Sequence, residues 1–220
     1  MKTSLHFLRK FSIALAMSFI SFVVQSQTPF TCQDGVSYIV KTSGSVSTLF
    51  RVSLVPSYSE TSLGNVRTTG NVNIPVDAIG YNVVDNFIYG FERGTTNVVR
   101  IGNDGTSVRL AVTSASLPSS SGDRQFTAGD VDASGNLFLY QASAGSMYKI
   151  NLNATVPYTA TAITGSAANL LDISVNDAGT QAYGYSAGTG VLVVRSITGS
   201  AYTQSTAASN VSLHPCPLLR

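Results

Sequence analysis

The stretch Ala78-Ile79-Gly80-Tyr81-Asn82-Val83-Val84-Asp85-Asn86-Phe87-Ile88-Tyr89-Gly90-Phe91 decides the fold. It reads as a short apolar strand, a polar turn, and a second strand carrying an aromatic pair. Asn and Asp suit such turns because their side chains bond the backbone locally, and Gly or Asn supplies positive φ. The same sentence recurs downstream. Ala128-Gly129-Asp130-Val131 leads through Asp132-Ala133-Ser134-Gly135-Asn136 into Leu137-Phe138-Leu139-Tyr140. Leu171-Asp172-Ile173-Ser174-Val175 leads through Asn176-Asp177-Ala178-Gly179-Thr180 toward Tyr183-Gly184-Tyr185. Upstream, Tyr38-Ile39-Val40 matches the aromatic strand alone.

Two markers keep one period. The aromatics Tyr38, Tyr89, Phe138 and Tyr183 step by 51, 49 and 45 residues. About ten residues after each lies a strand with one basic residue. These residues are Arg51, Arg100, Lys149 and Arg195, stepping by 49, 49 and 46. After Arg100 the chain turns at Asn103-Asp104-Gly105 and enters Val108-Arg109-Leu110-Ala111-Val112. No apolar stripe of period 3.6 survives beyond the N-terminal segment, so helices are not expected. A repeat of 40 to 50 residues with four strands is the signature of a propeller blade. The expected fold is all-β: a β-propeller-like array of about four small antiparallel sheets. A β-sandwich, or an incomplete propeller that needs more chain, is the alternative; regular spacing favours the propeller.

The N-terminus reads as a secretory signal. Lys2, Arg9 and Lys10 precede an uncharged run of 14 residues from Phe11 to Val24. Val24 and Ser26 suit the −3 and −1 positions of a cleavage site, which starts the mature chain near Gln27. The run is shorter than the roughly 20 residues a spanning helix needs. No membrane span is expected after cleavage, and the expected location is secreted or cell-surface. The chain divides into a signal peptide (1–26), a β-propeller-like repeat domain (27–200), and a last strand with an irregular C-terminal tail (201–220).

Charge narrows the partners. Of 13 Lys and Arg, three precede Gln27, leaving 10 against 11 acids in the mature chain. A chain this close to neutral has no basic footprint for nucleic acid. The two cysteines, Cys32 and Cys216, lie near opposite ends. In an oxidising compartment they can pair, closing a loop that contributes about 5 kcal/mol on the chain-entropy model. Two unpaired thiols remain the equal alternative.

The blocks quoted above resemble a known family. Phe30-Thr31-Cys32-Gln33-Asp34-Gly35-Val36-Ser37-Tyr38 looks like its opening. Ala78 to Gly90, with Val99-Arg100-Ile101-Gly102-Asn103-Asp104-Gly105, looks like its most recognisable block, and Ala128 to Phe138 resembles a third. The family is a propeller-like domain of unknown function in secreted and surface proteins, frequent in Bacteroidetes. It usually stands ahead of adhesion-type repeats or a sorting tail. The resemblance covers residues 30 to 200 and implies no catalytic residues. Members usually continue into a further blade, whereas Asn210 to Arg220 reads as an irregular tail.

Few residues carry chemistry. Asp130, Asp132 and Ser134, followed by Gly135, fit the first half of a calcium loop, but its twelfth position is Gln141 where a bidentate Glu is required. A plain hairpin turn explains the same residues. Arg51, Arg100, Lys149 and Arg195, one per unit, would line a circle and form a basic rim for an anionic ligand such as an acidic glycan. The plainer reading is that each snorkels its charge into solvent. Tyr38, Tyr89 and Tyr183 follow the fold's period and read as core. The mature chain holds one histidine, His214, in the tail, so a His-dependent triad has no ordered base. No cluster has zinc spacing, and no glycine-rich loop opens a helix around phosphate. Paired carboxylates such as Asp130 with Asp172 remain for a carboxylate-dependent polysaccharide hydrolase or lyase.

The expected function is therefore a non-catalytic extracellular binding or surface-scaffold module for a glycan or protein, with no cofactor. A carboxylate-dependent enzyme and a fragment of a larger adhesin-like protein are the alternatives.

Overall fold

The residues that mark the repeat face one another across paired strands. Tyr38 stands opposite Arg51, Tyr89 opposite Arg100, and Phe138 opposite Lys149. The computed structural model describes residues 27–118, 126–165, 169–186 and 188–206. The signal segment 1–26, Cys216, His214 and the rest of the tail from 207 lie outside the described residues.

Four small sheets follow in chain order. The first holds β1 (Val36–Ser43), β2 (Val46–Ser53) and β3 (Ser59–Asn65). A two-residue strand, β4 (Arg67–Thr68), then joins the outer edge of the second sheet parallel to its last strand. That sheet meanders through β5 (Val76–Asn82), β6 (Phe87–Glu92), β7 (Asn97–Ile101) and β8 (Thr106–Ala111). The third runs β9 (Ala128–Val131), β10 (Asn136–Gln141), β11 (Ser146–Asn151) and β12 (Ala160–Ile163). The fourth runs β13 (Ser174–Val175), β14 (Gln181–Tyr185), β15 (Leu192–Thr198) and β16 (Ala201–Thr206). The architecture is all-β and propeller-like, as the repeat predicts. In sheets two to four the chain enters at an innermost strand and works outward. The first sheet starts one strand late: β1 matches β6, β10 and β14, and no described strand pairs inside it.

The polar turns work as their composition predicts. Asn82, Asp132 and Asn176 each turn a side-chain oxygen onto following backbone N–H groups. Asp132 Oδ1 accepts from Ser134 (3.0 Å) and Asn136 (2.8 Å). Asn176 Oδ1 accepts from Thr180 (2.9 Å) and Gln181 (3.0 Å), and Asn82 Oδ1 from Val84 (3.1 Å). Gly135 completes its turn at φ +76°, where a side chain would be strained.

Hydrophobic clusters fill the spaces between consecutive sheets. Tyr38, Leu49, Val76, Ile88 and Val99 pack between the first and second. Tyr89, Phe91, Val98, Leu137 and Leu139 pack between the second and third, and Phe138, Tyr140, Ile173, Ala182 and Val193 between the third and fourth. Each fully buried ring contributes about 1.5–3 kcal/mol. Tyr89 is held further by donating to Asp85 Oδ2 at 2.6 Å. Burial, with that bond, raises its phenol well above the ordinary value.

The fourth sheet corrects one expectation. There Tyr183 stands opposite Val194, and Arg195 opposite Ala182. The residue equivalent to Arg100 and Lys149 is therefore Val194, one place before the basic residue. A shift of one residue moves a strand side chain to the other face. Arg195 accordingly points back at the third sheet and is fully buried, rather than standing on a rim. Its guanidinium lies 5.0 Å from the Tyr140 ring and 4.5 Å from the Tyr202 ring. Nε donates to Gln204 Oε1 at 3.3 Å, and Nη1 lies 3.4 Å from the Gly145 carbonyl. Stacking on two rings and meeting acceptors is how a buried guanidinium is stabilised.

Candidate functional site

A pocket of about 340 Å³ opens where the innermost strands converge. All four sheets contribute: Val40 from β1, residues 76–79 from β5, residues 127–129 at β9, and Leu171 with Asp172 ahead of β13. The repeat explains the convergence. Asp77 pairs with Phe91, the Thr127 N–H donates to the Tyr140 carbonyl (2.9 Å), and the Leu171 N–H to that of Tyr185 (3.0 Å). These are equivalent rungs of equivalent strands. Val40 reaches the pocket because nothing described covers the inner edge of β1.

Two local distortions shape the wall. In β5 the register shifts between Asp77 and Gly80, so Ala78 and Ile79 together oppose Gly90. This is a β-bulge, and its first residue takes the left-handed conformation, Ala78 at φ +52°. Glycine usually fills that place, and alanine costs about 1–2 kcal/mol there. The bulge presses the Ala78 carbonyl against β9. A Cβ added at Gly129 would stand 2.2 Å from that oxygen. Strain of this kind collects at functional sites, because the surrounding fold must be built to hold it.

Two carboxylates line the pocket. Asp77 Oδ2 accepts from Arg93 Nε at 2.7 Å and pairs with its Nη2 at 2.6 Å. Asp172 Oδ1 accepts from the Ile173 N–H at 2.8 Å. Leu171 on the pocket wall is 62% exposed, and the residue whose carbonyl its N–H meets, Tyr185, is 51% exposed and pairs with Leu192 across the strands.

The residues singled out by sequence go elsewhere. Asp130 is buried between the third and fourth sheets. Its Oδ2 accepts from Ser174 Oγ (3.0 Å) and the Val175 N–H (2.9 Å), and its Oδ1 from the Val131 N–H (2.9 Å). Asp132 is turned onto its own hairpin, Oδ2 accepting from Asn136 Nδ2 at 2.8 Å. Both carboxylates of the calcium motif thus meet N–H or O–H donors. Adding excess calcium is expected to leave the thermal midpoint unchanged. A rise of several degrees would show an ion held by the native state and restore the calcium reading.

The basic residues do not line the pocket. Arg100 Nε donates to Gln27 Oε1 at 2.8 Å, its guanidinium 4.7 Å from the Phe87 ring. Arg51 Nη2 donates to Gln33 Oε1 at 3.2 Å, and Lys149 is half-buried on β11. Cys32 is exposed, its thiol donating to Tyr81 Oη at 3.1 Å. Of the carboxylate pair suggested by sequence, Asp172 lines the pocket, and Asp77 joins it where Asp130 was expected. Sequence reasoning missed Asp77 and Leu171 as residues of the pocket wall. The only signal was their equivalent place in successive repeats, which core packing also explains.

Fold and site together define a propeller-like repeat domain with an axial pocket. A family model described as a repeat of unknown function (DUF6923) matches residues 32–212, and the chain belongs to that family. No curated protein matches the sequence. Among solved structures, an auxiliary nutrient binding protein from Bacteroides thetaiotaomicron VPI-5482 is similar at TM-score 0.51 and 10% identity, over 82% of this chain and 41% of that one. A virginiamycin B lyase from Staphylococcus aureus gives TM-score 0.47 at 10% identity, over 83% and 59%. A functionally unknown protein from Desulfotomaculum acetoxidans DSM 771 gives 0.47 at 8%, over 80% and 56%. The chain thus spans less than two thirds of each. At such identities the likeness concerns the fold, and function has to be argued from the site.

Proposed function

We propose that this chain is a non-catalytic extracellular binding module that takes its ligand, a glycan or a protein, in the axial pocket. The observation that carries this reading is the pocket itself, to which four repeats each bring equivalent or neighbouring strand positions. Its volume falls within the roughly 300–1,000 Å³ of small-molecule sites, and its lining mixes apolar walls with a few polar groups, as such sites do. The similarity to a nutrient binding protein agrees with a binding role. Export rests on the signal-like N-terminus.

The test is a plug. Leu171 is exposed at the pocket wall, so Leu171→Trp adds bulk to the opening without disturbing the core. The full chain and this variant are compared on arrays of glycans and extracellular matrix proteins. Loss of a wild-type signal on Leu171→Trp, with an unchanged thermal midpoint, is the expected result. Wild-type binding that survives the plug would move the site elsewhere on the surface.

One observation favours a second reading, a secreted polysaccharide hydrolase or lyase: Asp77 and Asp172 line the same cavity. Turnover of a polysaccharide panel that disappears in Asp77→Asn or Asp172→Asn would support it. Binding without turnover would exclude it.

A further inference from the structure

Resting on the axial pocket as the binding site, we infer that its ligand is an extended polypeptide segment of a partner protein, which adds to the inner edge of β1 as a further strand. The strand order carries this. β6, β10 and β14 are each paired on the axial side, by β5, β9 and β13, whereas β1, their equivalent, pairs only with β2 among the described residues. The same edge reaches the pocket at Val40. The cavity therefore lies where the repeat places a strand, and equivalence names the occupant.

The edge is equipped to pair. β1 and β2 are joined by Gly44 and Ser45, a two-residue hairpin loop with Gly44 at φ +59°. Such a loop closes on a pair that exchanges hydrogen bonds, here Ser43 with Val46. Bonded and non-bonded pairs alternate along an antiparallel ladder. Thr42 with Ser47 and Val40 with Leu49 are then non-bonded pairs, so the N–H and C=O groups of Thr42 and Val40 point away from β2. Val36 keeps the same phase, its N–H donating to the Gln33 carbonyl (3.1 Å) instead of to β2. Among the described residues no backbone group meets Val40 or Thr42 on that side. An open strand edge is a template for a strand from another chain, because a second backbone donates and accepts at the same spacing.

The surroundings set the chemistry of the segment. Thr42 Oγ1 donates to the Val76 carbonyl at 2.8 Å, which holds β1 beside the start of β5. Alternate side chains of a strand point to one face. One such row on the added strand faces Val76, Ala78 and Ile79, which suits small apolar residues at every second place. β5, β9 and β13 are seven, four and two residues long, so a short segment suffices. They run antiparallel to β6, β10 and β14, and the added strand runs antiparallel to β1.

The probe is a synthetic peptide with the sequence of residues Phe126 to Ala133, which this fold already sets against β10. The peptide and neutral oligosaccharides are titrated into the full chain and into Leu171→Trp, and amide exchange along β1 is followed by NMR. The peptide is expected to bind and to slow exchange at Val40 and Thr42 about tenfold or more. Ile39 and Lys41, whose pairs with β2 are bonded ones, should change little. Two further peptides carry N-methyl groups on alternate amides, one set on each edge. One of them should lose about 10- to 100-fold in affinity through the missing hydrogen bonds, and the other little. Leu171→Trp should abolish binding. Peptide binding that leaves Val40 and Thr42 unprotected, equal effects of the two methylations, or binding of oligosaccharides alone each overturns the strand assignment. If Leu171→Trp abolishes the signal in those cases, the pocket stands as the site and only the ligand class fails. Binding indifferent to the plug, or no binding by any probe, overturns both.

Discussion

Replacing Gly129 with alanine is expected to cost about 3 kcal/mol or more, enough to lower the thermal midpoint by roughly 6–12 °C or more. Gly129 sits in β9 where the bulged backbone of β5 presses in. Its missing Cβ would lie 2.2 Å from the Ala78 carbonyl oxygen and 2.6 Å from its carbon. Real Cβ contacts are never so short, and the obstruction is backbone, which cannot rotate aside. Gly80 makes the reciprocal approach, since a Cβ there would stand 2.7 Å from the Asp130 carbonyl carbon and the Val131 nitrogen. β5 and β9 thus touch backbone to backbone at two points. Overpacking usually costs 1–3 kcal/mol, more where neighbours cannot give. Urea unfolding followed by circular dichroism reads the loss. Gly188→Ala, whose Cβ would meet nothing within 4 Å, is the control. A Gly129→Ala chain within 1 kcal/mol of wild type would mean the two strands part easily, and the pocket wall with them.

The second large effect is expected at Asp130. Asp130→Ala removes the acceptor for Ser174 Oγ and for the Val175 N–H on β13, and leaves those donors against a buried space. Bonds to a charged acceptor are worth about 1.5–3 kcal/mol, and a stranded donor costs about 1–3 kcal/mol. The expected loss is therefore about 3 kcal/mol, a fall in midpoint of roughly 6–12 °C for a domain of this size. Asp130→Asn should recover at most half, because an amide offers one acceptor oxygen and turns an NH₂ toward donors. Full recovery with Asn would show that charge and the second oxygen are dispensable there. The residue nominated by sequence for metal or acid–base chemistry is then a tie between neighbouring sheets.

Why that happened is instructive. The spacing Asp130, Asp132, Ser134 looks like a loop of oxygen ligands because a hairpin and a cation both attract oxygens. Sequence records that oxygens are present, whereas their direction depends on which donors the fold brings near. For Asp130 those donors are on a strand 44 and 45 residues away. Arg195 teaches the same point through register. A basic residue in each repeat suggests one circle, yet a single-residue offset in β15 puts its side chain on the opposite face.

The sequence by itself determined the four-unit β architecture, the turns and most of the core. Those features depend on local chemistry: Asn82, Asp132 and Asn176 cap their own hairpins, and Tyr38, Tyr89 and Phe138 recur at the period of the sheets. Tertiary structure alone decided the pocket. Asp77 is far in the chain from Leu171 and Asp172, and only the convergence of innermost strands brings them to one cavity. The bulge at Ala78 that shapes the wall is a conformation alanine does not favour, so local propensity argues against it. It persists because β5 is held between β6 and β9, and packing on both sides outweighs about 1–2 kcal/mol of backbone strain.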